Sequence, residues 1–325
     1  MNTNESIWVD VPFEVQKPHH GLRLDSYLAE RLHRYSRAQV QRLIEDGRVS
    51  LPGRAIKPAT RLICGETVLI RYPRHQELPC PHDELPVVYE DECLLVVNKP
   101  APLLCHPTDR IQNNTVTSIL KRQFPGQRLH LVHRLDRETS GTLLLAKNPK
   151  AATAAAKSFV NRKVRKQYLA LVFGRVSWRR NSVDAALGRE DRDIKVRQAV
   201  YQDDVPATAA SAQTEFERLA GRDSVSLVRA LPKTGRLHQI RVHLAHLGHP
   251  VLGDKLYMGQ GELYMKAVRK TLTPEDMDKL GAARQMLHAH RLSLPHPGTG
   301  QELTVTSPLP EDFRRILQDA GIPLP

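Results

Sequence analysis

The sequence predicts an α+β protein: a small helix, helix, strand module followed by one larger mixed domain. Three observations carry that expectation. Leu24, Leu28 and Leu32 recur at four-residue spacing and are followed by Val40, Leu43 and Ile44, the spacing of positions that share one helix face. Short unbroken apolar runs, LLVV at Leu94 to Val97, TLLLA at Thr142 to Ala146 and LALVF at Leu169 to Phe173, have the length of buried strands. The 325 residues exceed one average core and suit two or three domains.

From the N-terminus, Asp25 is placed to cap the first helix. Ser36 and Gln39 form a capping-box pair that opens the second, and Gly47 closes it. VSL and RAIK flank a turn at Pro52-Gly53, and ETVLI completes the module. Its outward positions carry Arg31, Arg34, Arg37, Arg42, Arg48, Arg54, Lys57 and Arg61, more cation than a solvated face needs. Proline and polar residues from Pro73 to Pro86 read as a linker, which sets boundaries at 18–72, 73–86 and 87–325. In the larger domain Asn148 caps and Pro149 begins a helix that runs to about Val164. Gly248 ends another, with the stripe Ile240, Leu244 and Leu247. Thr273-Pro274 starts a third, and SPLPEDFRRIL gives a short helix after Pro310.

The composition, 40% hydrophobic and 26% charged, is that of an ordinary soluble protein, and no apolar run approaches the length of a membrane span. The opening MNTNESIWVDVPFE lacks a basic segment followed by an apolar core, so a cytoplasmic protein without membrane attachment is expected. Cys64, Cys80, Cys93 and Cys105 are scattered without a CxxC pair, which favours reduced thiols over disulfides or a zinc ribbon. A net charge of +13 attracts polyanions, with an affinity that salt should weaken. Nucleic acid is the favoured partner, although charge alone would also suit a passive basic surface.

Three segments hold candidate chemistry. In HRLDRETSG, from His133 to Gly141, Asp136 falls where an outgoing strand turns before TLLLA re-enters the core. Arg134 and Arg137 flank it and would favour the ionised carboxylate that a nucleophile needs, but the same trio also suits a structural ion pair. A second RLD at Arg23 to Asp25 opens a helix and lacks the threonine, serine and glycine that follow Asp136. In KTGRLHQIRVHLAHLGHP, Arg241 sits on the shoulder of an apolar helix face, where it needs an anion. The histidines His238, His243, His246 and His249 cannot all point one way from a helix, so no metal site is expected. In RKQYLALV, Tyr168 precedes a buried strand and is equally an aromatic core residue.

Two resemblances join these segments. RLDSYLAERL, SRAQVQRLIEDGRV and the strand after them resemble the alpha-L RNA-binding module named after ribosomal protein S-four. VVNKPAPLLCHP, LVHRLDRETSGTLLLAKN, RKQYLALVFG, ALGRE, TGRLHQIRVHLAHLGHPVLGDKLY, LHAHRLSLPHP and SPLPEDF, in that order, resemble the pseudouridine synthases that act on large-subunit ribosomal RNA and some transfer RNAs. The likeness implies a catalytic domain at 87–325 with a mixed, largely antiparallel sheet. It implies Asp136 as nucleophile on a flipped uridine, Tyr168 against the base, and Arg241 paired with Asp136. His133, Arg134 and Leu287 are then expected on the substrate, with Arg134 entering the vacated stack and Leu287 as an apolar wall. The reaction is redox-neutral and needs no cofactor, and a base must leave the helix to undergo it. Joining the module to this domain favours ribosomal over transfer RNA, with a monomer as the default. A noncatalytic RNA-binding assembly factor is the rival reading. Pro102, Cys105 and Met258 depart from the family pattern, none of them at an expected catalytic position.

Overall fold

The computed structural model describes residues 7–32, 35–74, 77, 80–108, 111–190 and 194–325. The chain divides into two units, Met1–Leu78 with Asp109–Ile111, and Pro79–Thr108 with Gln112–Pro325.

In the first unit, β1 (Ile7–Glu14), α1 (Leu24–Arg31), α2 (Arg37–Glu45), β2 (Val49–Ser50) and β3 (Thr67–Arg74) follow in order. The strands form an antiparallel sheet with β3 in the middle. The apolar stripe closes on it: Leu24, Leu28, Val40 and Ile44 are buried with Val68 and Ile70. Ser36 and Gln39 make both bonds of the capping box. Asp25 departs from the expectation, because Arg23 is the N-cap and Asp25 lies fully buried one residue inside the helix. It accepts hydrogen bonds from Arg23 at 2.9 Å, Arg37 at 3.1 Å and Gln41 at 2.8 Å. Arg23 above all, then Gln41 and Arg37, overcome its burial and hold its carboxyl well below the usual range. It is the anion that ties α1 to α2. Arg37 is therefore spent on the module itself, Arg54 pairs with Glu66 at 3.1 Å, and Arg48 lies over the Trp8 ring at 5.5 Å. Arg34 lies outside the described residues.

The second unit runs β4 (Val87–Glu90), β5 (Leu94–Lys99), α3 (Val116–Gln123), β6 (His130–Leu131), β7 (Ser140–Ala146), α4 (Pro149–Val160) and β8 (Arg165–Phe173). It continues through β9 (Arg180–Arg189), β10 (Gln198–Tyr201), β11 (Ala210–Gly221), β12 (Val225–Pro232), α5 (Gln239–His246), α6 (Glu262–Arg269), α7 (Pro274–Leu280), β13 (Leu287–Pro295), β14 (Glu302–Thr306) and α8 (Glu311–Asp319). One large mixed sheet has the order β10-β9-β11-β12-β8-β13-β7-β5-β4, with β14 on β13 and β6 on β7. It is an α+β fold with a largely antiparallel sheet; among the described residues, β13 and β7 are its one parallel strand pair.

Both faces of the central strands are covered, which is why they read as unbroken apolar runs. Leu95, Val97, Leu143 and Leu145 face Val116, Ile119 and Leu120 of α3, whereas Leu94, Val96, Leu144 and Ala146 face Ala151 and Ala155 of α4. Farther along the sheet, Ile240 and Leu244 of α5 and Phe313 and Leu317 of α8 bury Leu169, Leu171, Val228 and Leu287. Helix α4 stops at Val160, short of the expected Val164, because Asn161 caps it and Arg162 takes a left-handed turn. Leu85, within the stretch expected to link the domains, is buried, and its backbone exchanges two hydrogen bonds with the Gln123 side chain. Among the described residues, no helix is long and apolar enough to cross a membrane.

Candidate active site

The loop between β6 and β7 leaves Asp136 at the middle of the sheet, and its backbone is clamped from several sides. Asp136 carbonyl accepts from the Thr139 amide at 3.2 Å, closing a turn. Just before it, the Cys105 thiol donates to the Leu135 carbonyl and accepts from the Leu135 amide, both at 3.3 Å. Just after it, the Arg137 carbonyl accepts from the Leu103 amide at 2.8 Å and from the Lys99 ammonium at 3.2 Å. Lys99 also donates to the Leu103 and Pro100 carbonyls at 2.8 and 2.9 Å, and its burial pulls its pKa down to about 7. Beyond these, the Glu138 carboxylate takes Lys255 at 3.2 Å while its carbonyl takes Arg284 at 3.0 Å.

Gly141 marks the start of β7, where φ is +112° and a β-carbon would lie 2.2 Å from the Ala289 carbonyl oxygen. Only glycine lets the parallel strands β7 and β13 approach there, and that approach seats Leu287 beside the Asp136 loop.

Arg241, one turn into α5, reaches the loop. Its Nη1 donates to Asp136 Oδ2 at 2.9 Å, while Nε and Nη2 grip Asp254 at 2.6 and 2.8 Å. Asp254 is fully buried and its Oδ1 also accepts from the Leu256 and Tyr257 amides. Asp136 keeps 24% of its side chain open, so one carboxylate anchors the arginine and the other faces the cavity. Burial would raise the pKa of Asp136, but the charge and hydrogen bond of Arg241 outweigh it and leave the carboxyl below its ordinary value. Asp136 therefore stays ionised at neutral pH.

Asp136 and Arg241 line a cavity of about 110 Å³, together with Arg134, Lys166, Tyr168, Thr234, Arg236, His238 and Leu287. Tyr168 stands on β8 between β12 and β13, and burial first, then Asp136, raises the pKa of its phenol. The phenol thus keeps its proton at neutral pH. Leu287, on the neighbouring strand β13, is buried on the same sheet face as Tyr168, and Arg134 is exposed at the rim. Lys166 donates to the Thr234 carbonyl at 2.7 Å, and burial lowers its pKa to about 8.

His133 departs from the expectation of a substrate contact. Its ring stacks on Phe159 at 5.0 Å and its Nε2 accepts from the Leu144 amide at 3.0 Å. Burial pushes its pKa down to about 3, which keeps that nitrogen an acceptor, and it does not line the cavity. It braces the loop from behind. The histidines of the Arg241 segment face separate partners: His238 meets Tyr257, His243 meets Thr214, His249 meets the Phe173 carbonyl, and His246 is exposed.

Asp136, Tyr168, Arg241, Arg134 and Leu287 line one cavity, whereas Lys99, Lys166, Asp254 and Tyr257 were not singled out from sequence, nor was His238 given a place beside Asp136. A lysine closing the apolar strand LLVVNK, and an aspartate and a tyrosine in GDKLY, were the available signals.

A family model described as RNA pseudouridylate synthase matches residues 93–246, and one described as S4 domain matches residues 22–65. The ribosomal large subunit pseudouridine synthase D of Xanthomonas campestris pv. campestris is 34% identical over 303 residues, spanning 91% of this chain and 88% of that protein. The protein of the same name from Pseudomonas aeruginosa is 34% identical over 314 residues, 95% of this chain and 93% of its own length. Among solved structures, human RNA pseudouridylate synthase domain containing 4 superimposes with a TM-score of 0.60 and 27% identity, covering 74% of this chain and 94% of that one.

Proposed function

We propose, for a chain that belongs to the RNA pseudouridylate synthase family, that Asp136 is its nucleophile and that large-subunit ribosomal RNA is its substrate. The protein is an RNA pseudouridine synthase, an isomerase that breaks the N1–C1′ bond of a uridine and joins C5 to C1′, with the proton lost from C5 balanced by one gained at N1. That exchange cannot occur in a stacked, paired base, so the nucleotide is flipped into the cavity at a cost of a few kcal/mol.

The observation that carries the reading is the meeting of Asp136, Arg241 and Tyr168, from three separate segments, in one cavity. Arg241 keeps the Asp136 carboxylate ionised and aimed, which a nucleophile requires. Tyr168 and Leu287, neighbours on one face of the paired strands β8 and β13, offer an apolar surface for a base, and Arg134 at the rim is placed to fill the gap the base leaves. A noncatalytic assembly factor would have no use for this convergence. The choice of ribosomal RNA is supported by the names of the relatives and by the N-terminal unit, which matches the S4 domain. A cytoplasmic monomer, with an RNA-binding domain at 18–72 and a catalytic domain at 87–325, completes the proposal.

Purified protein is to be incubated with large-subunit ribosomal RNA and with transfer RNA, and pseudouridines mapped by carbodiimide-induced reverse-transcription stops. New stops in ribosomal RNA alone support the substrate; stops confined to transfer RNA overturn it. Turnover by Asp136→Asn would remove Asp136 from its role.

A further inference from the structure

One polar ring in the cavity has no part in the scheme above. His238 precedes α5 in a left-handed conformation, φ +56°, which turns its ring toward the Asp136 loop. Its Nδ1 lies 3.1 Å from the Tyr257 hydroxyl, and that hydroxyl in turn accepts the Gln198 amide at 3.0 Å. Because a backbone amide can only donate, the hydroxyl proton is free to go to His238 Nδ1. The remaining proton of the neutral imidazole then resides on Nε2.

The neutral form is the one present. Burial, then the charge of Arg241, outweigh the pull of Asp136 and Asp254 and bring the pKa of His238 to about 4. Burial likewise raises that of the Tyr257 phenol, which keeps its proton. The Tyr257 ring is fixed between two guanidinium groups, Arg241 at 5.1 Å and Arg197 at 5.3 Å from its centroid. A backbone amide, a phenol and an imidazole thus form a directed chain that ends in an N–H pointed at the cavity. That Nε2 stands 3.9 Å from Asp136 Oδ2, too far for a hydrogen bond, and no hydrogen-bond partner for it occurs among the described residues.

We propose that His238 is a further catalytic residue, whose Nε2–H donates to the O2 carbonyl of the uracil held against Asp136. The Asp136 carboxylate bonds to C1′ as the N1–C1′ bond breaks, and the electron pair of the broken bond stays on the base and spreads over N1 and O2; C5 then takes C1′ back from the carboxylate, its proton leaves to solvent and N1 takes one up. A donor already aimed at O2 stabilises that charge without reorganising. His238 keeps its proton throughout, and Tyr257 is a positioning residue that fixes the tautomer. The inference rests on Asp136 as the nucleophile.

Three measurements on the full chain test it. Nitrogen-15 chemical shifts of His238 at pH 7 should report the Nε2–H neutral tautomer; a proton on Nδ1, or on both nitrogens, overturns the proposal. In single-turnover assays on large-subunit ribosomal RNA, His238→Phe should lose about 10²-fold in rate, while His238→Gln, whose amide can donate near the Nε2 position, recovers at least tenfold of it. RNA affinity should stay within about twofold for both. Equal rates for the Phe and Gln variants overturn the proposal. Tyr257→Phe keeps the ring between the arginines but frees Nδ1, and should lower the rate and mix the tautomers; an unchanged tautomer overturns the positioning role. Asp136→Asn runs alongside. If it retains turnover the nucleophile assignment fails, whereas an inactive Asn variant beside a fully active His238→Phe isolates the failure to His238.

Discussion

Asp254 and Asp136 hold the same guanidinium from opposite sides, Asp254 through Nε and Nη2 of Arg241 and Asp136 through Nη1. Asp254 is sealed in the core and makes two further bonds to backbone amides, so the arginine is fixed before the nucleophile touches it. With Nε and Nη2 turned to Asp254, Nη1 is the nitrogen that faces Asp136 and the cavity.

Replacing Asp254 with Asn should therefore damage activity without touching substrate. The amide cannot accept both donors with the same strength, and breaking one side of a buried pair costs about 3 kcal/mol. A misaimed Asp136 costs up to about 10²-fold in rate. Urea unfolding and single-turnover rates would check both, and a variant with wild-type rate would show that Arg241 needs no anchor.

A pH profile should report how Arg241 acts. In the wild type the carboxyl of Asp136 lies below its ordinary value, so its ionisation leaves the rate flat from about pH 5 upward. Arg241→Lys retains one charge but cannot serve two carboxylates at once. With less to oppose burial, the Asp136 pKa should rise, and the rate should fall off on the acid side at a higher pH than in the wild type. An acid limb that does not move would separate Arg241 from the ionisation of Asp136.

Much of this site was legible because its residues sit in dense local patterns. HRLDRETSG marks a turn at the end of a strand, and the apolar stripe of α5 leaves Arg241 on its shoulder in need of an anion. What could not be read was which anion. Asp254 lies thirteen residues on, brought back by the tight turn at Gly253, where a β-carbon would fall 1.9 Å from the Arg284 carbonyl oxygen. The same limit explains Asp25 and His133. Each sits where a cap or a substrate contact is plausible from sequence, but partners from elsewhere, Arg37 for one and Phe159 with Leu144 for the other, turn it inward. Local pattern tells which residue types are present; tertiary approach decides which way they face.

Lys99 makes a stability prediction with a definite sign. Its pKa is about 7 in the folded protein against 10.5 when solvated. Between these values the unfolded chain holds a proton that the folded chain lacks, so this lysine makes stability rise with pH through that window and adds no slope below about pH 7. Lys99→Met removes the effect. The stability of wild type relative to Lys99→Met should increase by a few kcal/mol from pH 7 to pH 10, as read by urea unfolding. A difference that stays constant would mean the ammonium remains charged in its cage of carbonyls.

Gly141 should resist replacement, and a matched control makes the reason measurable. Gly141 and Gly248 both have positive φ, +112° and +80°, so alanine is strained at either. At Gly248 nothing lies within 4 Å of the added methyl, and the cost should be the backbone strain alone, about 1 kcal/mol. At Gly141 the methyl meets the Ala289 carbonyl at 2.2 Å in a strand whose own backbone cannot yield without parting β7 from β13. The overlap adds overpacking strain and brings the total to about 3–5 kcal/mol. Because that pairing seats Leu287 beside the Asp136 loop, Gly141→Ala should also slow the reaction when assayed well below its melting temperature, whereas Gly248→Ala should leave the rate unchanged. Equal losses of stability in the two variants would show that the contact with Ala289 relaxes freely.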